Sequence, residues 1–226
     1  DIAICPSQYD LDMDEDIKII NINTRNEKIK NFFLNNKKRL IAILVLIILL
    51  LISFFGFGEY KKNQKIKISD LYNSTIIEYN DGTKSKSIEN LIKIINEKDP
   101  TYSLLSLYYL IDNNLINDRN RINDLFDVLI EKTPLDKEIK NLVIYKKGLF
   151  NADESNESEL LNILDPLIKS NSVWKSHALY LMAEFFYYKN HKQKSKEFFN
   201  QILTLENSNQ NIKIEAEKRL NRDFSD

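Results

Sequence analysis

Residues 177–207, HALYLMAEFFYYKNHKQKSKEFFNQILTLEN, decide the fold. Large apolar and aromatic side chains recur in two runs at spacings of three and four residues, which is typical of amphipathic helices. The small residues Ala183 and Ser195 would let two such helices approach closely. Phe186 and Phe199 would fill the space around them. This stretch therefore predicts a helical hairpin.

A period of 34 residues extends upstream of this hairpin. Asp99-Pro100 and Thr133-Pro134 each place a capping side chain before a proline, which suits the first position of a helix. The two prolines are 34 residues apart, and the same apolar triad lies 12, 8 and 5 residues before each of them. Recurrence on this scale indicates stacked two-helix units. The triads are Ile88, Ile92 and Ile95, and then Ile122, Phe126 and Leu129.

Thirty-four residues with two helices is the length of a tetratricopeptide repeat. Asn190 stands where such a repeat has its turn glycine, Ile202 replaces a small residue, and Asn207 replaces the terminal proline. The low glycine content, 4 in 226 residues, also favours helices over sheets. We therefore predict an all-α tetratricopeptide-like solenoid. The matching positions in its last unit are Leu179, Met182, Ala183, Phe186, Asn190, Ser195, Phe199 and Ile202.

Helical patterns also occupy the rest of residues 59–226. A helix is predicted from residue 59 to about Asn80, ended by the turn at residues 80–83. Residues 151–158, NADESNES, form a polar loop before a short helix that carries Pro166. Residues 212–220 are predicted to be a terminal cap helix. The middle unit is degenerate, and one helical face of its first helix carries the apolar residues Leu135, Ile139, Leu142, Val143 and Leu149.

One segment is long and apolar enough to cross a bilayer. Residues 40–58, LIAILVLIILLLISFFGFG, contain no charge, and as a helix they reach roughly 28 Å. A cleaved signal peptide is the main alternative, but no small-x-small cleavage site follows. Since Lys37, Lys38 and Arg39 abut the segment, we expect the amino side to stay in the cytoplasm. The predicted regions are a cytoplasmic segment (1–39), a transmembrane helix (40–58) and a periplasmic domain (59–226).

The first residues carry little information. Met13 opens MDEDIKIININ, so one interpretation is that residues 1–12 precede the natural start of the chain. Cys5 is the only cysteine, which excludes an intramolecular disulfide and a cysteine metal cluster.

Composition disfavours two broad classes of function. Residues 59–226 hold 25 basic and 26 acidic side chains, so no positive field attracts nucleic acid. His177 and His191 are the only histidines, and their spacing is not that of metal ligands. No glycine-rich phosphate loop is present. We therefore predict a protein that is not an enzyme, has no cofactor or metal, and does not bind nucleic acid.

The order of these features resembles a known family. A basic segment, one span, a continuing helix and three degenerate repeats together resemble the bacterial inner-membrane tetratricopeptide proteins of the YfgM type, ancillary subunits of the SecYEG translocon. The resemblance covers roughly residues 14–224, and its best motifs are Trp174, Ala178 and Ala183, followed by KSKEFF at 194–199. It implies a periplasmic domain beside the translocon and a membrane-anchored periplasmic isomerase or chaperone. Its clients would be newly exported polypeptides.

The first helix of each repeat lines the concave surface on which repeat proteins bind partners. Tyrosine is well suited to such contacts because it offers a large area at a low entropic cost. The alternative is that these rings pack on a neighbouring helix. The candidate partner-binding residues are His177, Tyr180, Glu184, Tyr187 and Tyr188 in the last unit and Leu104, Leu107 and Ile111 in the second.

Two functions remain open at this point. The first is a membrane-anchored adaptor or chaperone that works with the export translocon and periplasmic folding factors. The second is a structural scaffold that organises a cell-envelope assembly such as the division or cell-wall machinery.

Overall fold

A computed structural model describes the backbone of residues 8–224 and the side chains of residues 25–224. The described part of the chain is helical and contains no strand, which confirms the all-α class. The chain divides into two compact units between Asn63 and Gln64. Cys5 and residues 1–7 of the doubtful stretch 1–12 lie outside the described residues.

Helix α1 (Gln8–Ile77) contains the apolar segment. Within the described residues, it is the one helix long and apolar enough to cross a membrane. Its most apolar window has a mean hydropathy of 3.2, and none of that window is buried inside the protein. The large apolar side chains from Ile41 to Phe57 are exposed. They therefore have no protein core to pack against.

Eight further α-helices make up the second unit together with the end of α1. Helices adjacent in sequence pack on each other, notably α2 on α3, α5 on α6, α7 on α8 and α8 on α9. A 3₁₀ turn (Asp81–Thr83) precedes α2, and a π-helical turn (Val128–Lys132) follows α4. The helices are α2 (Lys84–Asn96), α3 (Tyr102–Asp112), α4 (Arg119–Asp127), α5 (Lys137–Asn151), α6 (Glu157–Ile168), α7 (Lys175–Tyr188), α8 (Lys192–Thr204) and α9 (Gln210–Asp223).

Polar caps explain several of the helix starts. At the predicted turn after α1, Asn80 and Thr83 form a reciprocal capping box. Asn156 and Glu159 do the same at the start of α6. The carboxylate of Asp99 accepts hydrogen bonds from the backbone N–H groups of Thr101 and Tyr102, at 2.9 and 2.8 Å. Asp99 therefore caps backbone N–H groups at the start of α3 as expected, although the helix begins at Tyr102 and Pro100 is not its first residue.

The second Asp/Thr-Pro pair does not start a helix, so that prediction was wrong. Helix α5 begins at Lys137, three residues after Pro134. The hydroxyl of Thr133 donates instead to the carbonyl of Val128, 3.1 Å away, across the π-helical turn. The π-helical turn therefore continues from α4, and the Thr133 hydrogen bond closes its end.

The hairpin predicted from residues 177–207 is present as α7 and α8. Its predicted core positions are buried, and the Ser195 hydroxyl donates to the Ala183 carbonyl at 2.8 Å, where the helices approach closely. Asn190, in place of the turn glycine, has a φ of 60°. This left-handed conformation is one that asparagine adopts more readily than most residues.

The apolar face predicted for α5 is only partly buried, because Val143 lies in the core but two of its other members do not. The side chains of Ile139 and Leu149 are both 40% exposed, whereas Gly148 is buried. A Cβ atom on Gly148 would lie 2.5 Å from Cδ2 of Leu164, so α5 and α6 touch through this glycine. The helix therefore turns a small and partly polar face inward. That face contains Asn141, Val143, Ile144, Gly148 and Asn151.

Candidate partner-binding surface

The C-terminal helix α9 covers much of the surface predicted on α7. It packs against both α7 and α8. The ring of Tyr180 meets Phe199 edge-on at 5.4 Å between centroids, and Tyr187 meets Phe224 in the same way at 5.8 Å. Tyr180 and Tyr187 are only partly exposed as a result. These two predicted binding residues therefore contact the protein's own helices.

Arg219 of α9 joins this surface through a bidentate ion pair. Its Nε atom lies 2.6 Å from Oε1 of Glu184, and its Nη2 atom lies 2.8 Å from Oε2. The guanidinium also lies over the ring of Tyr187, 4.4 Å from the centroid. Asp223 accepts a further hydrogen bond from Arg219, and the hydrogen bond from Arg222 lowers the pKa of the Asp223 carboxyl. The Glu184 carboxylate is thus already occupied by an arginine of the same chain.

His177 belongs to a cluster of three rings. Its centroid lies 5.0 Å from that of Trp174 and 5.6 Å from that of Tyr145, and the Tyr145 and Trp174 rings stack on each other. Burial lowers the pKa of His177, with a smaller opposing effect from the Val173 carbonyl. Burial likewise raises the pKa of Tyr145. His177, in the first turn of α7, therefore packs against Tyr145 of α5 and against Trp174, and its burial favours the neutral ring.

The candidates on α3 lie in the apolar core. Leu107 is completely buried, and Leu104 and Ile111 pack against the same cluster. That cluster also receives side chains from α2, α4 and the π-helical turn. These three residues pack against neighbouring helices within the core, so they present little surface to a partner.

Tyr188 is the most open of the eight candidates. Its side chain is 80% exposed at the end of α7, next to the exposed Lys189. The Lys189 ammonium lies 5.9 Å from the Tyr188 centroid and 5.5 Å from that of Phe185. The pair thus offers an aromatic ring and a cation at the same edge of the hairpin.

Helix α5 carries an exposed apolar strip that the sequence did not identify as a surface. Ile139, Leu142, Lys146 and Leu149 lie on one side of the helix by their spacing of three and four residues. Ile139 and Leu149 are exposed, and Leu142 is half-buried. Counting from the starts of α5 and α7, these positions match those of the α7 candidates. The signal that could have identified the strip was Gly148, because a glycine within a helix favours close packing on its own face.

The structure contains a polar cavity with a volume of about 480 Å³. It lies among the ends of α4, α5 and α6, and its main charged groups are already paired. Arg119 binds Glu154 at 3.0 Å, and Lys147 binds Asp127 at 2.6 Å. The side-chain amides of half-buried Asn123 and buried Asn151 bond to each other at 2.7 and 2.9 Å. We interpret this cavity as a polar junction between helices.

Among the described residues, no three His, Cys, Asp or Glu side chains come together in a way that could hold a metal ion. The contacts on α5 and α7 are those of non-covalent recognition, through apolar area, aromatic rings and single charges. A scan against protein-family models finds no match, and searches of curated proteins and of solved structures find none either. The function is therefore argued from these contacts and the sequence pattern.

Proposed function

We propose that the chain is a single-pass protein of a bacterial inner membrane, with its amino terminus in the cytoplasm and residues 59–226 in the periplasm. Residues 40–58 would form the span. Their uncharged composition and unburied side chains support this assignment, because an apolar surface of this length is stable only when lipid or protein covers it.

The proposed periplasmic domain is a tetratricopeptide-like stack. In this stack α3, α5, α7 and α9 are the first helices of their units, and α2, α4, α6 and α8 are the second helices. The starts of successive first helices are 35, 38 and 35 residues apart, and so are those of successive second helices. Three hydrogen bonds between units fall at nearly the same separation, which is the pattern that neighbouring repeats produce. These bonds are Tyr102 to Ser69, Ser172 to Glu138 and Asn209 to Ser176, over 33, 34 and 33 residues.

The proposed activity is that of a non-catalytic adaptor or chaperone. The chain would associate with the SecYEG translocon and a membrane-anchored periplasmic isomerase and assist newly exported polypeptides, as the resemblance to the YfgM type implies. The observation that carries the proposal is the apolar strip on α5, where Ile139 and Leu149 are exposed and Leu142 is half-buried. Apolar strips on otherwise well-packed helices are typical of surfaces that bind other polypeptides.

Site-specific photo-crosslinking in living cells tests this function. A crosslinking amino acid at Leu149 or Tyr188 should capture translocon subunits, the isomerase or exported polypeptides. The same amino acid at Asn200, an exposed position on α8, is the matched control and should capture them far less. Capture of division or cell-wall proteins alone would favour the scaffold function. Equal capture from all three positions would contradict a specific surface on α5 and α7.

A further inference from the structure

Three consecutive cations precede the proposed span. Lys37, Lys38 and Arg39 are all exposed, and none of them pairs with another side chain in the described part of the protein. Successive residues of an α-helix are rotated by about 100° around the axis. The three side chains therefore leave the helix in three different directions and form a ring of positive charge. We call these residues the basic ring.

On the other flank of the span, the two lysines nearest the apolar segment, Lys61 and Lys62, are engaged by neighbours, whereas Lys65 and Lys67 are exposed further along the helix. The Lys61 ammonium lies 4.9 Å from the centroid of the Phe57 ring, and the Lys62 ammonium lies 3.8 Å from a carboxylate oxygen of Glu59. Both partners precede their lysine by three or four residues. The side chains thus lean back along the helix, towards the apolar segment.

Helix geometry explains this asymmetry. The Cα–Cβ bonds of an α-helix tilt towards its amino terminus. Side chains of the basic ring, which comes before the apolar segment, therefore lean away from it. Side chains that follow the segment, such as Lys61, lean over its end. Only the amino flank presents free cations directed away from the apolar surface.

We propose that the basic ring binds the phosphate groups of anionic phospholipids. This inference rests on the proposed function, because it requires residues 40–58 to span the bilayer. A spanning helix meets lipid headgroups on every side, which a ring of charge matches. A protein partner would approach from one side, and a stripe of charge would suit it better.

The surrounding sequence increases the attraction. Arg25, Lys28 and Lys30 are also exposed on this flank, and Glu27 is the only acidic residue between 25 and 39. Each Lys or Arg near an anionic membrane surface strengthens binding about fivefold. The amino flank therefore provides the stronger and less neutralised site for anionic headgroups.

Native mass spectrometry of the full chain tests the proposal. The purified protein would be equilibrated with equal amounts of phosphatidylcholine and phosphatidylglycerol in mixed micelles, and the retained lipids would be counted. We expect the phosphatidylglycerol to exceed the phosphatidylcholine at least about fivefold, with a decline as salt is added. The triple variant K37Q/K38Q/R39Q should reduce this preference at least about fivefold. The matched triple variant K61Q/K62Q/K65Q should keep it within about twofold of the native value.

Equal losses in the two triple variants, or no loss in K37Q/K38Q/R39Q, would overturn the assignment to the basic ring. Extraction of cell membranes with alkaline carbonate tests separately whether residues 40–58 anchor the chain in the bilayer. A chain that resists extraction but shows no preference for phosphatidylglycerol is anchored as proposed, and only the lipid inference is then wrong. A chain released by carbonate would contradict the span and the lipid site together.

Discussion

Arg219 and Glu184, 35 residues apart in the sequence, form a two-point ion pair that attaches α9 to α7, with N–O distances of 2.6 and 2.8 Å. The Arg219 side chain is 13% exposed and that of Glu184 is 37% exposed, so water weakens the pair only partly. The surface that the sequence assigned to a partner is therefore partly occupied by the chain's own terminal helix.

Replacing Glu184 with Gln should loosen α9. The variant removes the carboxylate while Arg219 stays largely buried, and we expect a loss of about 1–2 kcal/mol in the free energy of unfolding. Urea unfolding in detergent micelles measures this loss, and hydrogen exchange should increase first in α9. Lys218→Met breaks the exposed Lys218–Glu215 pair and serves as the control, with a change within about 0.5 kcal/mol. Equal effects of the two variants would contradict the role of the Arg219 pair.

Gly148→Ala should destabilise the contact between α5 and α6. The added methyl group would lie 2.5 Å from a methyl carbon of Leu164, which is completely buried and has little room to move. Overpacking of this kind costs about 1–3 kcal/mol, more than the roughly 1 kcal/mol that alanine gains over glycine in a helix. Lys146→Ala, at an exposed position on α5, is the control for helix propensity. A higher melting temperature for Gly148→Ala would show that the contact is not tight.

His177 should make the fold sensitive to acid. Burial lowers its pKa in the folded protein, while the unfolded chain titrates near about 6.5. Protonation therefore favours the unfolded state, and the contribution of neutral His177 is complete above that pH and is lost as the pH falls below it. His177→Phe should flatten the decline in melting temperature between pH 7.5 and pH 5. Equal slopes for the native protein and His177→Phe would refute the prediction.

Asn190 occupies a position that favours glycine. Because its φ is 60°, Asn190→Ala should cost about 1–2 kcal/mol, whereas Asn190→Gly should be neutral or slightly stabilising. Thermal unfolding of the two variants side by side provides the measurement. If alanine were tolerated as well as glycine, the left-handed turn between α7 and α8 would be wrong.

Local periodicity predicted the hairpin of α7 and α8 well, since one face of each helix carries the large and small side chains that pack together. The same reasoning succeeded only in part on α5, where apolar residues occur on both sides. There the buried face is chosen by long-range contacts, Gly148 against Leu164 and Asn151 against Asn123, which hydropathy does not encode.

The candidate surface was predictable only in part. Tyr188 is exposed as a binding residue must be, but the burial of Tyr187 depends on where α9 packs. The position of α9 depends on the ion pair between Arg219 and Glu184, which are separated in sequence by α8 and two connecting turns. In the sequence, the only sign of this pair is that the two residues carry opposite charges, which is equally true of many other residue pairs.

The most direct test of the account is the side of the membrane on which the carboxyl terminus lies. Two reporters would each be fused after residue 226: alkaline phosphatase, which is active only outside the cytoplasm, and green fluorescent protein, which fluoresces when it stays in the cytoplasm and is dark when exported unfolded. We predict an active phosphatase and a dark fluorescent protein. A fluorescent fusion with an inactive phosphatase would place the helical domain in the cytoplasm and contradict the proposed role in export.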